Sequence, residues 1–174
     1  MEGKWTGTVC VVHPNMHSRY VNGVTIRPLR HGDTQTVCAL FSRLGDQSRR
    51  QRFGAAKPRL SQEELTQLAR VDSRHHVLVA YVSGDVGPAG IARLARRGRT
   101  AEVAFAVADE YQGRGIGSAL ARILADDARA AGIVELHAAV TGDSKKVAAL
   151  LSRSATALRA TWLGGEYALV AALD

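Results

Sequence analysis

Gln112-Gly113-Arg114-Gly115-Ile116-Gly117 decides how the rest of the chain is read. Glycines at 113, 115 and 117 let the backbone take positive φ and approach a ligand closely. Successive N–H groups in such a turn can line one concavity and bind phosphate. After Gly115, apolar residues recur at Ile116, Leu120, Ile123, Leu124 and Ala128, the spacing of one helix face. A helix beginning here aims its free N–H groups and positive dipole end at the same concavity. Arg114 adds a formal charge nearby. The stretch reads as a pyrophosphate site between a strand and a helix.

Two phosphate loops fit poorly. A P-loop needs GxxxxGK[ST], and no such lysine follows. A dinucleotide loop needs GxGxxG directly after its strand. Here Ser118 stands at the third glycine position, and Asp109-Glu110-Tyr111-Gln112 separates strand from loop. The strands upstream also look antiparallel: His76 to Val82, Ala89 to Ala95 and Thr100 to Val107 are joined by short turns. A glycine-rich turn without a ligand is the plain alternative, but alternating glycines cost helix stability.

Farther out, Val24 to Leu29 reads as a first strand, with Pro28 at an edge or strand end. Asp33 can cap a helix carrying Val37, Leu40, Phe41 and Leu44, which Gly45 would stop. The piece around Ser48 to Pro58 is polar and arginine-rich and reads as a basic solvated loop. Ser61 and Glu64 form a capping-box pattern before Leu65, Leu68 and Ala69. Gly132 ends the central helix. Val134 to Val140 is a strand, Ser144 to Arg153 a helix, and Leu158 to Trp162 with Tyr167 to Leu173 a closing hairpin around Gly164-Gly165. The expected fold class is α/β of the α+β type, a mixed, mostly antiparallel central sheet flanked by helices. Residues 1–23 lack periodicity and are expected to be a poorly ordered extension to one domain over residues 24–174.

The 174 residues fit one domain with a sizeable core. No run approaches the roughly 18 apolar residues of a membrane helix, and no secretory signal pattern opens the chain, so the cytoplasm is the expected location. Cys10 and Cys38 lack metal-ligand spacing and read as reduced thiols, with no metal expected. The net charge of +7 favours an anionic partner. Basic residues crowd 43–59 and 93–99, but neither is a long basic run with interleaved aromatics, so nucleic acid is a weak reading and a solvated surface explains most of the charge. His75 and His76 read as surface or packing residues.

Gln112 to Gly117 matches the [QR]-x-x-G-x-[GA] motif, and the chain from about Val24 onward resembles the GCN5-related N-acetyltransferases (GNAT). Ser48-Arg49-Arg50-Gln51-Arg52-Phe53 is similar to the SRY-x-RF segment of bacterial Pat-type protein lysine acetyltransferases, as is Thr100 to Phe105 followed by Tyr111 to Gly115. Arg50 departs from the tyrosine of that pattern, and Gly54 from a second phenylalanine. The resemblance implies acetyl-CoA as cosubstrate. It implies contacts from Gln112, Gly113, Arg114, Gly115, Ile116, Gly117 and Ser118. It also implies that Phe105-Ala106-Val107 pairs with the pantetheine arm through backbone groups, while the strand from Val134 splays away. Ser144 would stand in for a cofactor-contacting asparagine, and Leu151 falls where many relatives place a tyrosine acid.

The chemistry demands a base. A lysine amine of pKa near ~10.4 is almost wholly protonated at pH 7 and has no lone pair for the thioester. Glu102 is the candidate: it lies five residues before Val107, which turns the two side chains to opposite faces of one strand. Glu110 lies beside the expected phosphates, a poor place for a base. The resemblance also gives Glu102 this role; the plain reading is an exposed strand glutamate paired with an arginine. His137, on the strand flanking the cleft, reads as structural, with substrate contact or an alternative base as the sharper options. An N–H near Ala106 or Val107 would hold the oxyanion. The expected acceptor is a primary amine, preferably a protein lysine. A small amine (polyamine, amino acid or aminoglycoside) and a non-catalytic acyl-CoA sensor are the alternatives. Oligomeric state is not legible.

Overall fold

Alternation along the central strands divides the apolar residues between two cores. The computed structural model describes residues 18–141 and 144–173. In chain order these form β1 (Arg19–Val21), β2 (Val24–Pro28), α1 (Thr34–Ser42), α2 (Asp46–Phe53), α3 (Gln62–Leu68), β3 (His75–Val82), β4 (Pro88–Arg97), β5 (Thr100–Val107), α4 (Ile116–Ala130), β6 (Glu135–Val140), α5 (Lys145–Ser152), β7 (Ala157–Leu163) and β8 (Glu166–Ala172). On β3, Val77 and Val79 pack with Leu29, Val37 and Ala69 below α1 and α3. Leu78 and Ala80 point the other way, into a core with Ala92, Leu94 and α4. The sheet is thus covered on both faces, as its uninterrupted apolar run at 77–80 demands.

One sheet holds all eight strands in the order β1-β2-β3-β4-β5-β6-β8-β7. Neighbours are antiparallel except β5 and β6, which run parallel. The expected fold class and meander are both present. α4 supplies the largest buried face: Ile116, Leu120, Ile123 and Leu124 are at most 3% exposed. Burying each such side chain is worth roughly 1.5–3 kcal/mol. Gly90 on β4 lets that helix lie close, since a Cβ there would sit 3.1 Å from Leu120 and 3.2 Å from Ile116.

Three boundaries differ from the sequence expectation. The sheet starts at Arg19, not Val24: β1 pairs with β2, Arg19 opposite Ile26, across a tight turn at Asn22-Gly23 with φ of 48° and 79°. The rest of the expected extension, residues 1–17 with Cys10, lies outside the described residues. α1 ends at Ser42, and Gly45 does not stop it but N-caps α2. α2 itself has no fully buried residue, so no apolar period marked it. Its ends hold it instead. Asp46 lies in the first turn, Arg50 and Arg52 in the last, and Gly54 closes it at φ 73°. Phe53 meets Phe41 edge-on at 5.5 Å.

The capping box at Ser61 is present: Glu64 N donates to Ser61 Oγ at 3.2 Å, and Ser61 N to Glu64 Oε2 at 2.9 Å. Among the described residues no helix is long and apolar enough to cross a membrane.

Candidate active site

β5 and β6 pair at Thr100 with Glu135, Ala101 with Leu136 and Glu102 with His137, and no farther. Beyond Glu102 a cavity of about 510 Å³ separates them, walled by Val103 to Val107 on one side and Ala138 to Val140 on the other. The backbone of β5 is left open along it. Ala108 N donates to Ala89 O on β4 at 2.9 Å. Strand alternation then turns Ala106 and Ala104 toward β4 as well, and turns Phe105 and Val107 toward the cavity. The free backbone N–H groups therefore belong to Phe105 and Val107, while the backbone N–H and C=O of Ala106 face β4. Of the two expected oxyanion donors, the Val107 N–H faces the cavity and the Ala106 N–H faces β4.

The glycine turn closes one end. Gly113 and Gly115 have φ of 75° and 81°, where a side chain is strained. No side chain caps α4 after Gly115. The N–H groups of Ile116, Gly117 and Ser118 lack intrahelical acceptors at this end. Gly117 serves packing: a Cβ there would meet Leu150 Cδ2 at 3.3 Å and Val107 Cγ2 at 3.7 Å. Gln112, Gly113, Gly115, Ile116, Gly117 and Ser118 all line the cavity. Arg114 does not; its guanidinium stacks over the Tyr111 ring at 5.1 Å. Ser144 does not either: it N-caps α5 outside the cavity wall. The sequence reading missed Lys146 and Arg153, which α5 turns to the cavity. Their spacing of seven, two helical turns, was the available signal. Arg153 Nη1 lies 3.3 Å from Ser118 Oγ.

Polar ties fix the turn. Asp109 accepts from Gly45 N at 3.1 Å and Ser48 Oγ at 2.6 Å. Gln112 donates to Ser48 Oγ at 3.0 Å and Val107 O at 3.3 Å. Its side chain thus locks the turn to α2 and β5. Tyr111 donates its hydroxyl to Asp85 at 2.5 Å, and Arg43 joins Asp85 to Glu110. Arg43, then Gly87 N–H and the Tyr111 hydroxyl, hold the Asp85 carboxyl well below its ordinary 3.8. Asp85 in turn pushes Tyr111 up, so this phenol keeps its proton. Leu151 is 2% exposed in the core and leaves no acid on that turn of α5.

A second cavity of about 680 Å³ lies on the other side of the β5–β6 junction. Glu102 and His137 line it, with Glu166 and Arg93. It shares Gln51, Arg52, Val103, Ala104, Ala138 and Ala139 with the first cavity, so the two adjoin. Glu102 is 56% exposed and pairs with Arg97 at 2.8 Å. His137 Nε2 lies 3.2 Å from Glu135 Oε2. His75 bonds Asp72 at 2.8 Å, and His76 reaches the buried Asp127 at 2.9 Å. Among the described residues no three metal-ligating side chains cluster.

These features suit an acyl-coenzyme A. The capless helix end and the positive-φ turn fit a pyrophosphate, the cations of α5 fit its charge, and the apolar walls with free strand groups fit an amide-bearing arm. The profile of the acetyltransferase (GNAT) family matches residues 43–154. The chain belongs to that family. Acetyltransferase Pat of Mycolicibacterium smegmatis is 34% identical over 99 residues, 55% of this chain and 29% of that protein. The chain therefore spans less than a third of the length of that relative. The crystal structure of the GNAT domain of S. lividans PAT superposes with a TM-score of 0.76 at 27% identity, covering 86% of this chain and 90% of that one. Spermidine N-acetyltransferase from Vibrio cholerae, solved with CoA and spermine, shares the fold: TM-score 0.65, 18% identity, 87% of this chain and 96% of that one.

Proposed function

We propose that the chain transfers acetyl from acetyl-CoA to a primary amine, with a protein lysine preferred, and that Glu102 is the general base. The observation that carries this is the junction of the two cavities, with glycine turn and α4 on one side and Glu102 on the other. Likeness to Pat favours the lysine. A cytoplasmic site of action belongs to the same proposal.

The acceptor ammonium enters from the second cavity and loses a proton to Glu102, directly or through one water. Glu102 gives up its exposed pair with Arg97 at a cost of about 1 kcal/mol or less. The amine attacks the thioester carbonyl, and Val107 N–H donates to the oxyanion. The carbon–sulfur bond then breaks, the nitrogen releases its second proton to water, and water returns a proton to the thiolate of coenzyme A, since Leu151 offers none. In the first cavity, Gly113, Gly115, Gly117 and Ser118 cradle the pyrophosphate together with Lys146 and Arg153. Acetyl-CoA consumption across a panel of lysine peptides, polyamines and amino acids tests the reading. Turnover on peptides supports it, turnover on small amines alone replaces the acceptor, and coenzyme A binding without turnover on any amine replaces catalysis with sensing.

A further inference from the structure

The acceptor cavity holds charge that the transfer chemistry does not use. Arg52, in the last turn of α2, and Arg93, on β4, both line it. Arg93 stands opposite Ala104, on the same face of the sheet as Glu102. Its Nη2 donates to Gln67 O at 3.0 Å, and its Nε is buried without a partner. Arg52 rests over the Phe53 ring at 5.0 Å. Among the described residues neither guanidinium belongs to an ion pair, although other arginines do. Asp72 and Glu102 act on Arg93 only at longer range. Loss of water, and secondly the charge of Arg93, push Arg52 down to about 10; both side chains remain cations at neutral pH.

Two part-dehydrated like charges without a counter-ion are costly to hold together. Compensation of the α2 dipole does not require Arg52, because Arg50 lies in the same turn. An anion entering the cavity would pair with both. We propose that Arg52 and Arg93 form a carboxylate-binding subsite, so that the acceptor presents an acid group beside the amine that Glu102 deprotonates. The acid group is an Asp or Glu flanking the acceptor lysine, or the carboxylate of an amino acid. Arg93 lies diagonally across from Glu102, roughly 7–8 Å away at the backbone, which suits one or two residues of peptide. The inference rests on the preceding reading that this cavity receives the acceptor.

The test compares kcat/KM for three matched peptides with Glu, Gln or Arg beside one lysine, and for free amino acids against their amides. The parent protein favours the acidic peptide over the Gln peptide by about tenfold, the size of one charge-assisted hydrogen bond. Arg52→Gln and Arg93→Gln each bring that ratio toward one, and Arg52→Lys restores part of it. Glutarate inhibits the parent competitively against peptide and inhibits Arg52→Gln at least fivefold more weakly, an independent reading if one variant folds poorly. Preference for the amino acids alone identifies the free carboxylate as the source. A flat ratio in the parent overturns the subsite while acetyl transfer stands. A flat ratio joined to a strong preference for succinyl-CoA as donor overturns it too, by assigning the arginines to the acyl group. Absence of transfer to every amine overturns the underlying function and the subsite with it.

Discussion

Replacing Gly115 and Gly117 by alanine, one at a time, separates two jobs that the sequence assigns to both glycines. Gly115 sits at φ 81°, and a Cβ built there has nothing within 4 Å. Strain alone then sets the cost, about 1–2 kcal/mol for a left-handed alanine. The smaller freedom of the unfolded chain returns about 0.4–1 kcal/mol. Gly115→Ala should lose about 1 kcal/mol net, a fall in Tm of about 2–4 °C for a chain of this size. Relaxing that strain swings the N–H groups of Ile116 to Ser118 away from the cavity, so coenzyme A should bind about tenfold more weakly. Gly117 is the second residue of α4, where alanine gains at most about 1 kcal/mol of helix propensity. Its Cβ meets Leu150 Cδ2 at 3.3 Å, the mobile end of a side chain that can yield a few tenths of an ångström. Gly117→Ala should therefore melt at or slightly above the parent. Thermal melts without ligand and calorimetric titration with coenzyme A check both. Equal stability and equal affinity for Gly115→Ala would refute the argument from the turn.

Other outcomes follow from the same contacts. Leu120 is fully buried between α4 and β4, and Leu120→Ala should cost about 2–5 kcal/mol in denaturant melts. Asp85 titrates lower in the folded protein than its ordinary 3.8, so its contribution is present above that value and fades as pH falls below it. The stability gap between the parent and Asp85→Asn should be constant above pH 5 and narrow under acid, as read from melts across pH. Asp109→Ala removes the acceptor of Gly45 N and Ser48 Oγ, and should raise the Kd for coenzyme A several-fold with α2 loosened in hydrogen exchange.

Much of this fold was legible because its periods are clean. The 3.6-residue pattern from Ile116 and the alternation from Thr100 located α4 and β5, and the turn between them followed. α2 was not legible: its stability comes from its termini and from Asp109, which is 61 residues from Ser48. β1 is too short at three residues to show a period. Glu102 was visible as a strand acid, and its shared cavity with His137 depends on a register between strands that no local pattern encodes. Lys146 and Arg153 were missed because their importance arises only where α5 faces the glycine turn. Arg114 reads as a phosphate contact from its place in the turn, and its stacking on the Tyr111 ring is not visible in the sequence.

The glycine turn and Glu102 stand on opposite sides of one junction, and the central claim is that they do separate work. The direct test is Glu102→Gln, measured for coenzyme A affinity and for turnover on the best amine across pH 6–10. The account predicts an unchanged Kd, a kcat at least about tenfold lower, and partial recovery at high pH as more amine is free of its proton. Undiminished turnover with the parent pH profile would contradict it.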